Sequence, residues 1–197
     1  FDDMDTGFSS TGAKADKVGT VTLADSGFRG KALQLDGTGA GYLSVTDPDG
    51  ASLLKDCDEL TVSYWGRMDT EETTNKWTFF AAPDDAASLV NKEIYLGILD
   101  TGQQLSVQRF QNTGSRAAGP EGDITDTLGN WKHVTVTFAH AKTTVYVDGQ
   151  ILGESVDSTY SIPEILGENG IVYIGKATWG SGDYYKGLLD DFAIYNY

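Results

Sequence analysis

The chain is expected to fold as an all-β protein, with two antiparallel sheets packed face to face as a sandwich or jelly roll. Three observations lead there. Short segments rich in β-branched and aromatic residues recur at close intervals, bounded by turn residues. No stretch sustains the apolar period of a helix. And Gly is abundant, at 24 residues, while Pro is scarce, at 4, so turns fall to Gly, Asp, Asn and Ser rather than to stiff Pro-rich linkers.

Taken in order, the expected strands are Lys31–Asp36 and Tyr42–Val45, separated by DGTGAG, then Leu60–Met68 after DPDG. Trp77–Ala81, Glu93–Leu99 and Gln104–Phe110 follow, the last two divided by LDTGQ. In Trp131–Phe138, Val134, Val136 and Phe138 alternate with Thr135 and Thr137, the two-residue period of a strand with one buried face. Thr144–Val147 runs into Asp148-Gly149, the strongest short hairpin signal in the chain. Ile171–Gly175 and Tyr185–Tyr195 close the series around the Gly-rich ATWGSGDYY. Ser161–Leu166 is expected to form one short helical turn. Regular short strands without longer helices indicate a sandwich or jelly roll. With no repeat and no low-complexity segment, residues 1–197 read as a single domain, a size at which all-β sandwiches bury a real core.

Charge narrows the function classes. The 29 acidic residues outnumber the 14 basic ones, for a formal net charge of -15. Nucleic acid and anionic membrane surfaces both need a basic footprint, so neither is an expected partner. Cation binding is permitted. The single cysteine, Cys57, rules out an internal disulfide and a Cys-based metal site, and its neighbours Asp56 and Asp58 disfavour the thiolate. No apolar run approaches a membrane span and no signal peptide is seen. The chain opens at Phe1 in strand-like sequence, so it is expected to be one module of a longer polypeptide.

Several motifs carry a family resemblance over nearly the whole chain. FDDMDTG, GKALQLDGTGAGYLSV, LTVSYWGRM, W-x-H-V-x-V-T-F, V-Y-V-D-G and G-L-L-D-D-F-x-I-Y-N stand in order. Together they resemble the LamG-like jelly roll, a relative of the concanavalin A-like lectin and glucanase fold. More narrowly, WTFFAAPDD, QRFQNTGSR and IGKATWGSGDYYKG resemble modules appended to secreted bacterial glycosidases that attack arabinose-containing plant polysaccharides. The resemblance implies a noncatalytic carbohydrate-binding module, extracellular, whose partners are a polysaccharide or oligosaccharide and a parent catalytic domain in the same polypeptide.

The residues agree that catalysis is not expected. Glycosidases on related sandwiches align two or three carboxylates along one strand, as in E-x-D-x-E, so that both face one cleft. No strand here carries that pattern. Asp56, Asp58 and Glu59 lie in a turn, and adjacent Asp190 and Asp191 point to opposite faces of a strand. His133 and His140 alone cannot make a metal cluster. For a metal, the resemblance implies a structural Ca²⁺ between the first and last strands, on Asp2, Asp3 and Asp190, with Asp5 and carbonyls near Gly7 or Gly27 as further ligands. The alternative is that Asp190 accepts backbone hydrogen bonds.

Sugars are held by aromatic rings stacked on their C–H faces and by fixed polar groups that read hydroxyls. Trp65 and Trp131 occupy packing positions and are assigned to the core. Trp77 stays open between core and site. Trp179, in a Gly-rich loop with no apolar period around it, is the better binding candidate, with Tyr184 following it. Arg109, Asn112, Ser115 and Arg116 are candidate polar readers. Arg109 shares a face with Val107 and Leu105, so it is either an edge residue or an inward-pointing charge; solvation is the alternative for the others. Against the carbohydrate-binding reading stand a protein-interaction or adhesion module and a spacer packed on a catalytic domain.

Overall fold

The computed structural model describes residues 12–38, 41–74, 76–84, 94–111, 116–155, 161–178 and 183–196, with the side chains of residues 111 and 116–118 outside that set. Among the described residues there are fourteen strands: β1 (Lys14–Gly19), β2 (Thr22–Ala24), β3 (Ala32–Asp36), β4 (Gly41–Thr46), β5 (Leu60–Arg67), β6 (Trp77–Ala82), β7 (Ile94–Asp100), β8 (Gln104–Gln111), β9 (Arg116–Asp123), β10 (Lys132–Phe138), β11 (Thr143–Val147), β12 (Gln150–Ser155), β13 (Ile171–Ile174) and β14 (Lys186–Asn196). They form two seven-stranded sheets, ordered β1-β4-β13-β6-β7-β8-β9 and β12-β11-β10-β5-β14-β3-β2. The ladders within both sheets are antiparallel.

Alternation builds the core. Leu60, Val62 and Tyr64 of β5 and Val134, Val136 and Phe138 of β10 point between the sheets and meet Leu96, Ile98, Leu105 and Val107 from the other side. Each such side chain, once fully buried, contributes about 1.5–3 kcal/mol. The β11–β12 hairpin turns on Asp148 and Gly149, with φ of 50° and 78°. Two positive φ values define the primed turn that matches strand twist, as the Asp-Gly pair predicts. The short helix α1 (Ile162–Leu166) is started by a capping box: Ser161 accepts the Glu164 N–H while the Glu164 carboxylate accepts the Ser161 N–H.

The core also holds an ion pair. Lys132 of β10 reaches across to Asp100 at the end of β7, 2.8 Å away, with the two side chains 1% and 0% exposed. Asp100 also accepts the Gly102 N–H at 2.8 Å. Burial, and then the Asp100 charge, push the hydroxyls of Tyr64 and Tyr185 well above the ordinary tyrosine range. Such a pair adds little net stability over an apolar substitute, but losing one partner leaves a buried charge uncompensated. Cys57 is buried, and its thiol is pushed up to about 11, first by burial and second by Asp58. Burial therefore outweighs the flanking charge that the sequence pointed to.

Candidate functional site

A sandwich has two outer faces, and here both carry aromatic rings. On the first sheet, Phe79 and Ala81 face the main core while Phe80 and Ala82 belong to a second cluster with Trp77, Tyr95, Leu99, Phe110 and Ala177. Tyr95, Leu99 and Phe110 are sequence neighbours of core residues Leu96, Ile98 and core-facing Arg109, so strand alternation puts this cluster on the outer side. Its rings are covered: Trp77 is 1% exposed and Phe80 0%. The Trp77 ring lies across Gly97, where an added Cβ would stand 2.1 Å from it. Glycine is therefore required at this point of β7 to admit the indole.

The open part of this face is its rim. A transverse row runs Ser44, Tyr173, Phe80, Gly97 and Gln108 through the strand registers. At one end Tyr42 meets Tyr173 edge to face at 5.0 Å. The Lys176 ammonium sits 4.4 Å from the Tyr42 ring centre and 4.8 Å from that of Tyr173. At the other end the Gln108 amide oxygen accepts the Tyr95 hydroxyl at 2.6 Å.

The sequence-chosen sugar residues distribute around this cluster. Trp77, left open between core and site, is a core residue, because the outer side of β6 is covered. Tyr184 is half-buried and its backbone bridges that of Trp77. Trp179 lies outside the described residues, but the segments on either side of residues 179–182 are anchored here, by Ala177 in the cluster and Tyr184 on Trp77. Asn112 and Ser115 also lie outside them; Phe110, just before, belongs to the same cluster. Arg116 starts β9 opposite Phe110, its side chain outside the described set. Both loops thus root on one face. The Phe110–Tyr95 row and the Trp77–Leu99 row are four residues apart on β7, about 14 Å.

Arg109 is not a surface reader. It is 2% exposed and donates to the carbonyls of Ala139 at 2.6 Å and His140 at 3.2 Å, in the loop joining β10 to β11. Of the two alternatives, the inward-pointing charge is correct: it shares the core side of β8 with Leu105 and Val107, and the opposite sheet's loop supplies its acceptors.

The outer face of the second sheet is the place where sequence reasoning missed residues. Trp65 and Trp131, assigned to the core, are half-buried and belong to neither buried cluster. The reason is alternation: with Val62 and Tyr64 pointing inward, Trp65 must point out, beside His133 across the β5–β10 ladder. The two rings lie 5.0 Å apart, and the His133 Nε2 pairs with the Ser63 hydroxyl at 2.9 Å. Phe28 lies flat on Trp65, with centroids 3.5 Å apart and planes 12° apart, and edge-on to Trp131 at 6.3 Å. Phe28 itself is 38% exposed. The period-2 pattern of β5 was the available signal.

Asp190 holds this arrangement in place. It is 1% exposed. Its carboxylate accepts the Arg29 N–H and the Asp191 N–H, each at 2.8 Å. This is the backbone-accepting role set out as the alternative to calcium. A bulge lies here, since three steps along β14 from Asp190 to Ala193 match two on β5, and Asp191 takes φ 46°. The strict alternation assumed for the two aspartates is therefore broken at this point. Asp2 and Asp3 lie outside the described residues. Among the described residues no group of three or more His, Cys, Asp or Glu converges as a metal shell.

The architecture is that of the concanavalin A-like sandwiches. Residues 36–197 match Laminin_G_3, the concanavalin A-like lectin/glucanases superfamily, and the chain belongs to that family. No curated protein sequence matches it. Among solved structures it is similar to domain 4 of AbnA, a GH43 extracellular arabinanase from Geobacillus stearothermophilus, in complex with arabinotriose; the TM-score is 0.67 at 20% identity, over 95% of this chain and 84% of that one. It is also similar to the binding domain of botulinum neurotoxin DC. In complex with SialylT that domain gives a TM-score of 0.65 at 16% identity, over 93% of this chain and 42% of the other. In complex with rat synaptotagmin II it gives 0.64 at 16%, over 93% and 43%. The chain spans less than half of those toxin domains. At these identities the likeness is one of fold.

Proposed function

We propose that this domain is a noncatalytic carbohydrate-binding module of a secreted glycoside hydrolase, and that it binds an arabinose-containing plant glycan on the outer face of the first sheet. The observation that supports the reading is that the described flanks of both candidate segments meet one aromatic cluster: Ala177 and Tyr184 on either side of residues 179–182, and Phe110 before Asn112. The half-buried Tyr42 ring and the Lys176 ammonium beside it supply an aromatic group and a donor at the same surface. The likeness to an arabinanase domain makes arabino-oligosaccharides the first ligands to try. Holding a parent enzyme near its polymer raises effective concentration without new chemistry, so affinities of micromolar to millimolar order suffice. The fold's occurrence in a toxin domain bound to synaptotagmin keeps a protein-interaction module as the second reading.

Calorimetric titration with arabinotriose tests this. Binding is expected, and Trp179→Ala should weaken it at least tenfold, about 1.4 kcal/mol, with an unchanged melting temperature. Absence of binding to any glycan on an array, or turnover abolished by a carboxylate substitution, would overturn it.

The calcium expectation joins the proposal through Asp190 alone. Each of its oxygens accepts one N–H and keeps a lone pair for an ion. An ion held only by the folded state stabilises by about 2.7 kcal/mol at a hundredfold excess over its Kd. Calcium should therefore raise the melting temperature and chelator lower it. An identical melting curve in both, with no metal on elemental analysis, sinks the idea.

A further inference from the structure

We infer that the outer face of the second sheet carries a second glycan platform, in which Phe28, Trp65, Trp131 and His133 form the stacking surface and Arg29 with Asp191 its polar edge, and that it takes a neutral sugar. The inference rests on the carbohydrate-binding reading above, but on a different face and on different residues.

The physical case starts from what the arrangement costs. Phe28 leaves 38% of its surface to solvent, and it and both tryptophans lie outside the two buried clusters. A ring left there for packing alone gains little. Yet three separate features fix it. The loop is closed by the Gly27 N–H to the Gly30 carbonyl at 3.0 Å. It is tied to β14 by the Arg29 N–H on the buried Asp190 carboxylate. And the ring is laid flat on Trp65, itself braced by His133. Burying a carboxylate to hold an exposed aromatic loop is a preorganising device, since a ligand then meets a surface whose entropy of ordering has already been lost.

Chemistry selects the ligand. Flat aromatic faces suit the C–H face of a sugar ring. Beside them the Arg29 side chain, 75% exposed, lies 3.7 Å from Asp191, 44% exposed. The Arg29 guanidinium is also 5.9 Å from the Phe28 ring centre. A donor fork and an acceptor side by side match vicinal hydroxyls, which both donate and accept. An anionic sugar is disfavoured: Asp191 already offsets Arg29, and the chain carries a net charge of -15. Asp191 sits at the bulge with φ 46°, a left-handed conformation of the kind that gathers at ligand sites.

The test uses the whole 197-residue chain, with ¹⁵N-labelled tryptophan and arabinotriose, xylotriose and cellotriose as probes; sialyllactose is the anionic control. The indole N–H signals of Trp65 and Trp131, assigned through Trp65→Phe and Trp131→Phe, should shift with a neutral probe. Calorimetry should show two sites, and Phe28→Ala should reduce them to one while leaving the melting temperature within a few degrees. Arg29→Gln should weaken the same site severalfold. If a glycan binds once and both indole signals stay still, this inference fails and the proposed function survives. Shifts with sialyllactose alone overturn the neutral-sugar assignment. If nothing binds at all, both readings fall.

Discussion

The outer face of the first sheet and that of the second hold comparable aromatic content in opposite states. On the first, Trp77, Phe80, Tyr95 and Phe110 are nearly inaccessible, and polar or half-buried groups appear at the rim: Tyr42, Ser44, Lys176 and Gln108. On the second, Trp65, Trp131 and His133 are half-buried, and among the described residues the loop carrying Phe28 lies over Trp65. The difference teaches that a tryptophan on the outer side of a sheet is not defined by its strand. Trp77 and Trp65 each sit on the central strand of a seven-stranded sheet. What separates them is how much chain is laid over each.

Stability measurements break or sharpen that contrast. The largest effect is expected at Trp77. Trp77→Ala should destabilise by about 3–5 kcal/mol, the usual loss for a buried tryptophan, whereas Trp65→Ala should cost about 1–2 kcal/mol, because only part of its apolar area is withdrawn from water. Urea denaturation of the two variants side by side decides it, and equal losses would erase the distinction between the faces. Gly97→Ala comes next. The Cβ would collide with the Trp77 ring, and the expected cost is about 1–3 kcal/mol. In the double variant with Trp77→Ala most of that cost should vanish, since the obstacle is gone. An additive double mutant would show that the ring does not lie over Gly97. The smallest effect is at Phe28: Phe28→Ala should cost about 0.5–1 kcal/mol, the contribution of a partly exposed ring stacked on another. A larger loss would mean that the ring is a structural cap on Trp65.

Much of the fold was legible because it rests on local rules. The alternation of Val134, Val136 and Phe138 with Thr135 and Thr137, the Asp148-Gly149 turn and the capped Ser161–Leu166 turn are properties of adjacent residues, and each appears as expected; Lys132, although charged, lies on the Val134 side and is buried against Asp100. Of the strands without bounds in that reading, β12 is the second arm the Asp148-Gly149 hairpin turn implies, while β1, β2 and β9 lack those signals. β1 is a charged edge strand, KADKVG, mostly exposed. β9 reads RAAGPEGD, where Gly and Pro resemble a turn. Its Gly122 serves instead to let the strand approach β12: a Cβ there would stand 2.5 Å from the Leu152 side chain. Close approach between distant segments leaves the same residue in the sequence as a turn does.

The candidate sites divide along the same line. The two-residue period in the sequence placed Arg109 with Val107 and Leu105; composition likewise supplied the acidic balance, which argues against nucleic acid, and the single cysteine, which rules out an internal disulfide. Only the tertiary structure decided that Arg109 is satisfied by carbonyls of the opposite sheet, that Trp77 is covered, and that Trp65 carries Phe28. The clamp behind that last contact joins Arg29 to Asp190, 161 residues apart. Period-2 alternation is a local consequence of strand geometry, but whether an outward face meets water depends on which remote loop is tied across it, and no neighbouring residue encodes that.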